Sequence, residues 1–244
     1  MLALFLTAVL VTCTSFLGML YFMFREKTMG LAMSLLTPLS SGLLLGSVFI
    51  LMLPGALSKW WAVLTVPSAA LLAFMGAIVA LALARTIWHH HHREVCETHT
   101  FNYTNLLGEG IQNFMIGAAI ASCFSVFAAV GFMAALAVVV HSAAQQLGNF
   151  GFLLHGGLSK GKAMGCSLAA SSTAILGALL TQFWLLNLGL GPYLVPFVAG
   201  WFIYTAVEDI SQKPSGKARR FSAAHFTLLL LGAIIVEWLS MLLV

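Results

Sequence analysis

The chain has 244 residues, of which 61% are hydrophobic and only 7% are charged, with a mean hydropathy of +1.00 and a formal net charge of +4. A water-soluble domain carries about 25% charged residues, because its surface must be solvated. This composition excludes a soluble globular protein and predicts an all-α membrane protein whose main partner is the lipid bilayer.

The hydrophobic runs predict eight transmembrane helices, since one helix needs about 20 apolar residues to cross a bilayer. Runs of this length lack the alternation typical of strands, and lipid-exposed backbone must satisfy its own hydrogen bonds. In chain order the predicted helices span residues 2–24, 34–57, 62–88, 103–126, 129–157, 163–188, 192–211 and 221–244. Residues 1–244 are therefore predicted to form a single polytopic membrane domain. The boundary between the fourth and fifth helices is the least distinct, because only small residues indicate a turn there.

The distribution of cations predicts the orientation, because Lys and Arg collect on the cytoplasmic side of a membrane. All of the 11 Lys and Arg residues except Lys59 fall in the odd-numbered connections between helices or flank them. These connections are predicted to be cytoplasmic, and both termini extracellular or periplasmic. The asymmetry accounts for the net charge without a nucleic-acid partner. We expect an integral, multi-pass protein of a cell membrane, either a plasma membrane or a bacterial inner membrane.

Polar side chains interrupt the fourth and fifth predicted helices at spacings of about one helical turn. They lie at Asn105, Glu109, Gln112 and Asn113 in the fourth helix, and at His141, Gln145 and Asn149 in the fifth. Residues at such spacings share one face of a helix. Counted from opposite sides of the bilayer, Gln112 and His141 both lie roughly 15–18 Å deep, near the midplane. We therefore expect the two polar faces to meet inside the bundle.

Two explanations fit such a meeting of polar faces. The amides and the histidine could simply hydrogen-bond one another, as in many packed bundles, for about 0.6 kcal/mol each. Alternatively, they could line a polar path, since ionisable groups within a membrane usually face a protein interior or water. Two aligned faces together with a buried carboxylate favour the path.

Four segments resemble the ZIP (Zrt/Irt-like) metal transporters. Residues 105–124, NLLGEGIQNFMIGAAIASCF, are similar to the family's fourth helix, N-L-x-x-D-G-x-H-N-F-x-D-G. Residues 141–163, HSAAQQLGNFGFLLHGGLSKGKA, are similar to its fifth, which begins H-E-x-P-x-E-x-G-D-F. Residues 39–57 and 195–210 resemble its second and seventh helices. The resemblance implies a ZIP-like bundle, a homodimer, and transport of divalent metal ions, zinc above all, toward the cytoplasm without an organic cofactor.

The resemblance also implies which residues face the metal. These are Gln112, Asn113, His141, Gln145, Gln146 and Asn149, with Glu109 and Asp209 supplying charge. Nearly every acidic ligand of the family is replaced, for example by Ser142, Gln146 and Asn149. Carboxylates normally balance the charge of a bound divalent cation, so we expect a weakened site. The alternative is a transport-inactive ZIP-like protein whose amides form a sealed network with a structural or sensing role.

The connection between the third and fourth helices, at about residues 89–102, is predicted to be a histidine-rich cytoplasmic loop. Its candidate ligands are His89, His90, His91, His92, Cys96 and His99. Imidazole and thiolate suit zinc or copper. Consecutive histidines cannot close one tetrahedral site, so a loose metal-collecting loop is the functional interpretation, and a solvated loop without a binding role is the alternative.

An enzyme is not expected from this chain. His141 is followed by Ser142, so the H-E-x-x-H motif of metalloproteases is absent, and so is the P-loop of an ATP-driven pump. Any transport is therefore predicted to be secondary or passive.

Overall fold

The computed structural model describes residues 2–17, 26–93, 98–155, 157–211 and 223–243. Within these ranges all regular structure is helical, which confirms the all-α prediction. The helices are α1 (Leu2–Cys13), α2 (Glu26–Gly46), α3 (Leu53–Lys59), α4 (Val66–Arg93), α5 (Thr98–Val126), α6 (Ala128–His155), α7 (Lys160–Leu180), α8 (Gly191–Ser211) and α9 (Ala223–Leu243). Two π-helical segments, Ser47–Met52 and Thr181–Leu185, join α2 to α3 and extend α7.

Six described helical stretches are long and apolar enough to cross a membrane, so the chain is an integral, multi-pass membrane protein. They are Ser34–Lys59, Val66–Thr86, Ala128–Gly151, Lys160–Leu185, Gly191–Ser211 and Ala223–Leu242. The first predicted span is described only as the shorter apolar helix Leu2–Leu17. The fourth, α5, carries the polar face and is not among these six stretches. The count of eight spans and the outward termini stay predictions.

Helix α5 tolerates its polar side chains because protein, and not lipid, surrounds its middle. Every residue from Ile116 to Cys123 is buried. Burial inside a bundle lets polar groups find partners that hydrocarbon does not offer. Helix α5 is thus held at the centre of the molecule.

Glycines set the closest helix crossings. On α5, a Cβ added at Gly117 would lie 1.8 Å from the carbonyl oxygen of Ala174 on α7, and one at Gly177 of α7 would lie 2.0 Å from that of Phe114. Reciprocal contacts of the same kind join α2 to α9 at Gly42 and Gly232, and α4 to α8 at Gly76 and Gly200. Small residues allow two helix backbones to approach closely. Such packing is important in a membrane, because lipid gives no hydrophobic driving force for helix association. Packing against α7 leaves the polar face of α5 to meet α6.

The turn from α5 to α6 consists of one non-helical residue, Phe127. Lys59, at the end of α3, donates to the backbone carbonyl oxygens of Ser125 and Val126, the second at 2.8 Å. Its ammonium also lies 5.6 Å from the ring centroid of Phe127 and 5.7 Å from that of Trp60. A cation at a helix C-terminus satisfies the last carbonyls and interacts favourably with the helix dipole. Lys59 therefore caps α5 where the sequence offers no turn motif.

Replacing Lys59 by methionine should lower the free energy of unfolding by about 1 kcal/mol, because it removes the capping ammonium and keeps a similar apolar stem. For a chain of this size the melting temperature should fall by about 2–4 °C. Thermal unfolding of the purified protein in detergent measures the change. Lys162→Met, at an exposed lysine of α7, is the matched control and should not lower the melting temperature. An unchanged melting temperature for Lys59→Met would contradict the capping role.

Candidate functional site

The first polar cluster joins α5, α6 and α8 around His141, which is almost fully buried. The Nδ1 atom of His141 lies 3.1 Å from Oδ2 of Asp209, and its Nε2 atom lies 3.2 Å from Nε2 of Gln112. The Gln112 Oε1 atom in turn accepts a hydrogen bond from Nε2 of Gln145 at 2.8 Å. The side chain of His141 is 3% exposed and that of Asp209 is 18% exposed, so the cluster opens at its carboxylate end. We call these four residues the histidine cluster.

The contacts of the histidine cluster determine where the protons lie. An ionised carboxylate only accepts hydrogen bonds, so the Nδ1 atom of His141 carries the proton that faces Asp209. The Nε2 atom of the neutral ring then accepts the N–H group of Gln112. A carboxylate on one ring nitrogen is the arrangement that orients metal-binding histidines, because it leaves the other lone pair for the ion. The geometry thus presents the His141 Nε2 lone pair to the inside of the bundle.

The second polar cluster joins α5, α6 and α7 around Gln146, and it is also buried. The Gln146 Nε2 atom donates to Oε1 of Glu109 at 2.7 Å and to Oγ of Ser171 at 2.8 Å. The hydroxyl group of Ser167 donates to Oε1 of Gln146 at 2.6 Å. The side chain of Asn149 also lies beside the Glu109 carboxyl group and favours its charged form. We call these five residues the glutamine cluster.

Several buried side-chain atoms in the described part of the chain lack a hydrogen-bond partner, and all of them are oxygens. They are Glu109 Oε2, Asn113 Oδ1, Ser142 Oγ, Gln145 Oε1 and Thr181 Oγ1. All but the last belong to α5 or α6, the two helices that share both clusters. Buried oxygens without donors are costly, and oxygen is the atom that hard cations bind. The polar interior is therefore rich in acceptors.

The predicted meeting of the two polar faces is confirmed by the contact between Gln112 and His141. Seven of the eight residues expected to face a metal belong to one cluster or the other. Asn113 differs: its Nδ2 atom donates to the backbone oxygen of Glu109 at 2.9 Å, within its own helix. Ser167 and Ser171 were not expected from the sequence. Their spacing of four residues on an apolar helix is the signal that points to them.

The described residues contain no group of three or more His, Cys, Asp or Glu side chains that could hold a metal ion. An ion in the histidine cluster would have one imidazole nitrogen and one nearby carboxylate. Its remaining ligands would have to be amide oxygens, which are neutral. Such a donor set suits a weakly held divalent ion better than a tightly bound one.

The histidine-rich segment is more helical than expected. The backbone of His89 to His92 continues α4, which ends at Arg93, and α5 already begins at Thr98 and contains His99. Cys96 lies outside the described residues, and the side chains of these histidines are likewise not described. The metal-collecting role of this segment stays a prediction.

Residues 157–161, GLSKG, match the G-x-S-x-G pattern of serine hydrolases. That pattern works when a strand leads into a sharp turn that exposes the serine. Here Ser159 directly precedes α7 as its N-cap residue, and the described ranges contain no strand. Ser159 therefore lies outside the structural context in which this pattern indicates a nucleophile.

Comparison with known proteins places these clusters in a family. A family model described as ZIP Zinc transporter matches residues 85–239. The IAA-alanine resistance protein 1 of Arabidopsis thaliana is 31% identical over 145 residues, covering 58% of this chain and 31% of that protein. Zinc transporter ZIP13 of Danio rerio is 32% identical over 114 residues, covering 46% and 33%. Zinc transporter SLC39A7 of Homo sapiens is 31% identical over 142 residues, covering 55% and 30%.

The chain spans about a third of the length of these curated relatives. The family match nevertheless covers more than half of the chain and includes every residue of the histidine and glutamine clusters. The polar interior described above is therefore part of the matched region. On this ground the chain belongs to the ZIP zinc transporter family.

Proposed function

We propose that this protein carries divalent metal ions, zinc above all, across its membrane and toward the cytoplasm. The observation that carries the proposal is the buried His141, oriented by Asp209 so that its Nε2 atom faces the space between α5 and α6. Family membership and the relatives named as zinc transporters support the same substrate. An imidazole nitrogen is a preferred zinc ligand, and other divalent metals with similar ligand preferences are further substrates.

In this proposal the histidine cluster is the site at which the ion binds on its way across the membrane. An arriving ion displaces the N–H group of Gln112 from the His141 Nε2 atom, and Gln112 and Gln145 offer amide oxygens in its place. Asp209 supplies the negative charge from the more exposed end of the cluster. Asn113 and the glutamine cluster, with Glu109, Gln146 and Asn149, form the polar wall beside it. The shortage of charge makes the site weak, which favours release over retention.

The finer topology belongs to the same proposal. Eight helices would place both termini outside the cell and the segment of residues 89–102 in the cytoplasm, where its histidines would collect ions that have crossed. We place the protein in a cell membrane as a homodimer, in line with the family resemblance. It acts as a transporter without an organic cofactor and not as an enzyme.

A transport-inactive role is the second candidate, and one observation favours it. The amides of Gln112 and Gln145 already bond each other, and Gln112 also bonds His141, so the histidine cluster is held without an ion. A sealed network of this kind would stabilise the bundle and would serve assembly or sensing.

Zinc uptake into proteoliposomes separates these two functions. The full chain is reconstituted into vesicles that contain a zinc-sensitive dye, and protein-free vesicles of the same lipid serve as the control. The transport proposal expects a saturable initial rate several-fold above the control, with little response to magnesium. Uptake equal to that of protein-free vesicles would support the transport-inactive role.

A further inference from the structure

The orientation of the Gln146 amide is determined by its neighbours. An ionised carboxylate only accepts hydrogen bonds, so with Glu109 ionised the Gln146 atom 2.7 Å from its Oε1 is the amide nitrogen. On the other side, the hydroxyl group of Ser167 donates to the amide oxygen at 2.6 Å. The second amide hydrogen is directed at Ser171. Gln146 and its three partner residues are all buried, so water does not compete for these hydrogen bonds.

Glu109 is a buried carboxylate, and within the part of the chain that the structure describes its recorded partners are not cations. It is 4% exposed, and the side chains beside its carboxyl group among the described residues are the neutral amides of Gln146 and Asn149. An isolated charge in a buried position is expensive unless donors or a cation compensate for it. Here the N–H group of Gln146 and the neighbouring amide of Asn149 provide that compensation. Its Oε2 atom still has no partner.

We propose that Gln146 is a specificity-determining residue whose amide group takes the place of a cation beside Glu109. The amide hydrogens occupy the position from which an ion would contact the Glu109 Oε1 atom, and Ser167 prevents the amide from turning its oxygen toward that position. The Oε1 side of Glu109 is then closed to an ion, whereas the histidine cluster remains open to one. The inference rests on the proposed function for the identity of the ion, but the placement of the amide does not depend on transport.

The proposal predicts how Gln146→Glu changes metal binding. This substitution keeps the size of the side chain but places a second carboxylate against Glu109 in a buried position, where two like charges repel. The hydroxyl groups of Ser167 and Ser171 can still donate to the new carboxylate. A divalent cation between the two carboxylates would supply both the missing charge and a bond to each oxygen. We therefore expect the variant to bind about one divalent ion per chain more than the wild-type protein.

The experiment measures zinc bound per chain by equilibrium dialysis and elemental analysis of the purified full chain in detergent. Thermal unfolding is measured in parallel with chelator and with zinc. Gln146→Glu should bind the additional ion, melt at a lower temperature than wild type in chelator, and regain stability with zinc, since a ligand that binds only the folded state stabilises it. Gln182→Glu, the same chemical change at a half-buried position in the π-helical segment after α7, should bind no additional zinc.

The exchanged pair Glu109→Gln with Gln146→Glu is the decisive control, because it restores one carboxylate facing one amide. Its melting temperature in chelator should equal that of the wild-type protein, and it should not bind the additional ion. If the exchanged pair keeps the additional zinc, or if Gln146→Glu binds no more zinc than wild type, the assignment of Gln146 is wrong. Failure of Gln146→Glu to fold even with zinc present would also contradict it.

The assignment of Gln146 can be tested separately from the proposed transport function. Zinc bound by the wild-type protein and its loss in His141→Ala test the histidine cluster. The zinc gained by Gln146→Glu should persist when His141→Ala is added, because it belongs to the other cluster. A wild-type protein that binds no zinc would thus leave the comparison between Gln146→Glu and wild type fully interpretable.

Discussion

Replacing His141 by alanine should reduce zinc uptake to the level of protein-free vesicles. The substitution removes the only nitrogen ligand of the histidine cluster and leaves Asp209 without the proton donor that lies 3.1 Å from it. Loss of a hydrogen-bond partner of a metal ligand typically costs 10- to 100-fold in metal affinity, and loss of the ligand itself should cost more than about 100-fold. Initial uptake rates in the reconstituted system measure the effect.

His225→Ala is the matched control for the loss of a histidine, because His225 lies on α9, outside both clusters. It should retain wild-type uptake. Thermal unfolding of both variants confirms that each is folded. Uptake by His141→Ala at the wild-type rate would contradict the assignment of the ion-binding step.

Asp209→Asn should produce a graded effect at the same site. The amide can still contact the His141 ring, but it removes the charge and no longer requires the proton to stay on Nδ1. We expect the zinc concentration for half-maximal uptake to rise about 10- to 100-fold. A loss of zinc uptake as complete as that expected for His141→Ala would instead indicate that Asp209 binds the ion directly.

Replacing Gly177 by alanine should be among the most destabilising single-methyl changes in the chain. Its Cβ would lie 2.0 Å from the backbone oxygen of Phe114, and backbone cannot turn away as a flexible side chain can. The helices α5 and α7 must separate to make room. Overpacking of a close contact typically costs 1–3 kcal/mol, and a clash with backbone belongs at the upper end. The melting temperature should fall by about 2–4 °C for each kcal/mol.

Gly165 provides the matched comparison on the same helix. A Cβ at Gly165 would meet nothing within 4 Å, so alanine there should keep or raise the melting temperature through its higher helix propensity, worth about 0.5–1 kcal/mol. Because α5 also carries Gln112 and Glu109, separation of α5 from α7 in Gly177→Ala should lower zinc uptake as well. Equal melting temperatures for the two variants would contradict the close crossing.

Part of the functional site follows from residue spacing. The polar faces of α5 and α6 are visible because three- and four-residue spacings place side chains on one side of a helix. Their common depth follows from the constant rise per residue and the thickness of the bilayer. The contact between Gln112 and His141 was predictable on that basis. The separation of the expected metal-facing residues into two clusters was not, because it depends on which atoms meet across helices.

Residue spacing and depth could not predict which partners the other helices contribute. In the sequence Ser167 and Ser171 are simply two more small residues of an apolar helix, and only the packing of α7 beside α6 places them against Gln146. The same holds for Lys59, which the distribution of charge identifies only as the one cation outside the connections that are predicted to be cytoplasmic. Its function as a cap appears once α3 ends beside the last turn of α5.

The amino-acid sequence by itself determined that this chain is helical, lies in a membrane, and has a polar interior with few acids. Those properties depend on hydropathy and helical period, which are local and can be read from neighbouring residues. Tertiary structure alone decided which polar groups compensate each other: Asp209 orients His141, whereas the Gln146 amide covers Glu109. These pairings join residues 37 to 68 positions apart, and they depend on how closely the glycine-bearing helices approach one another.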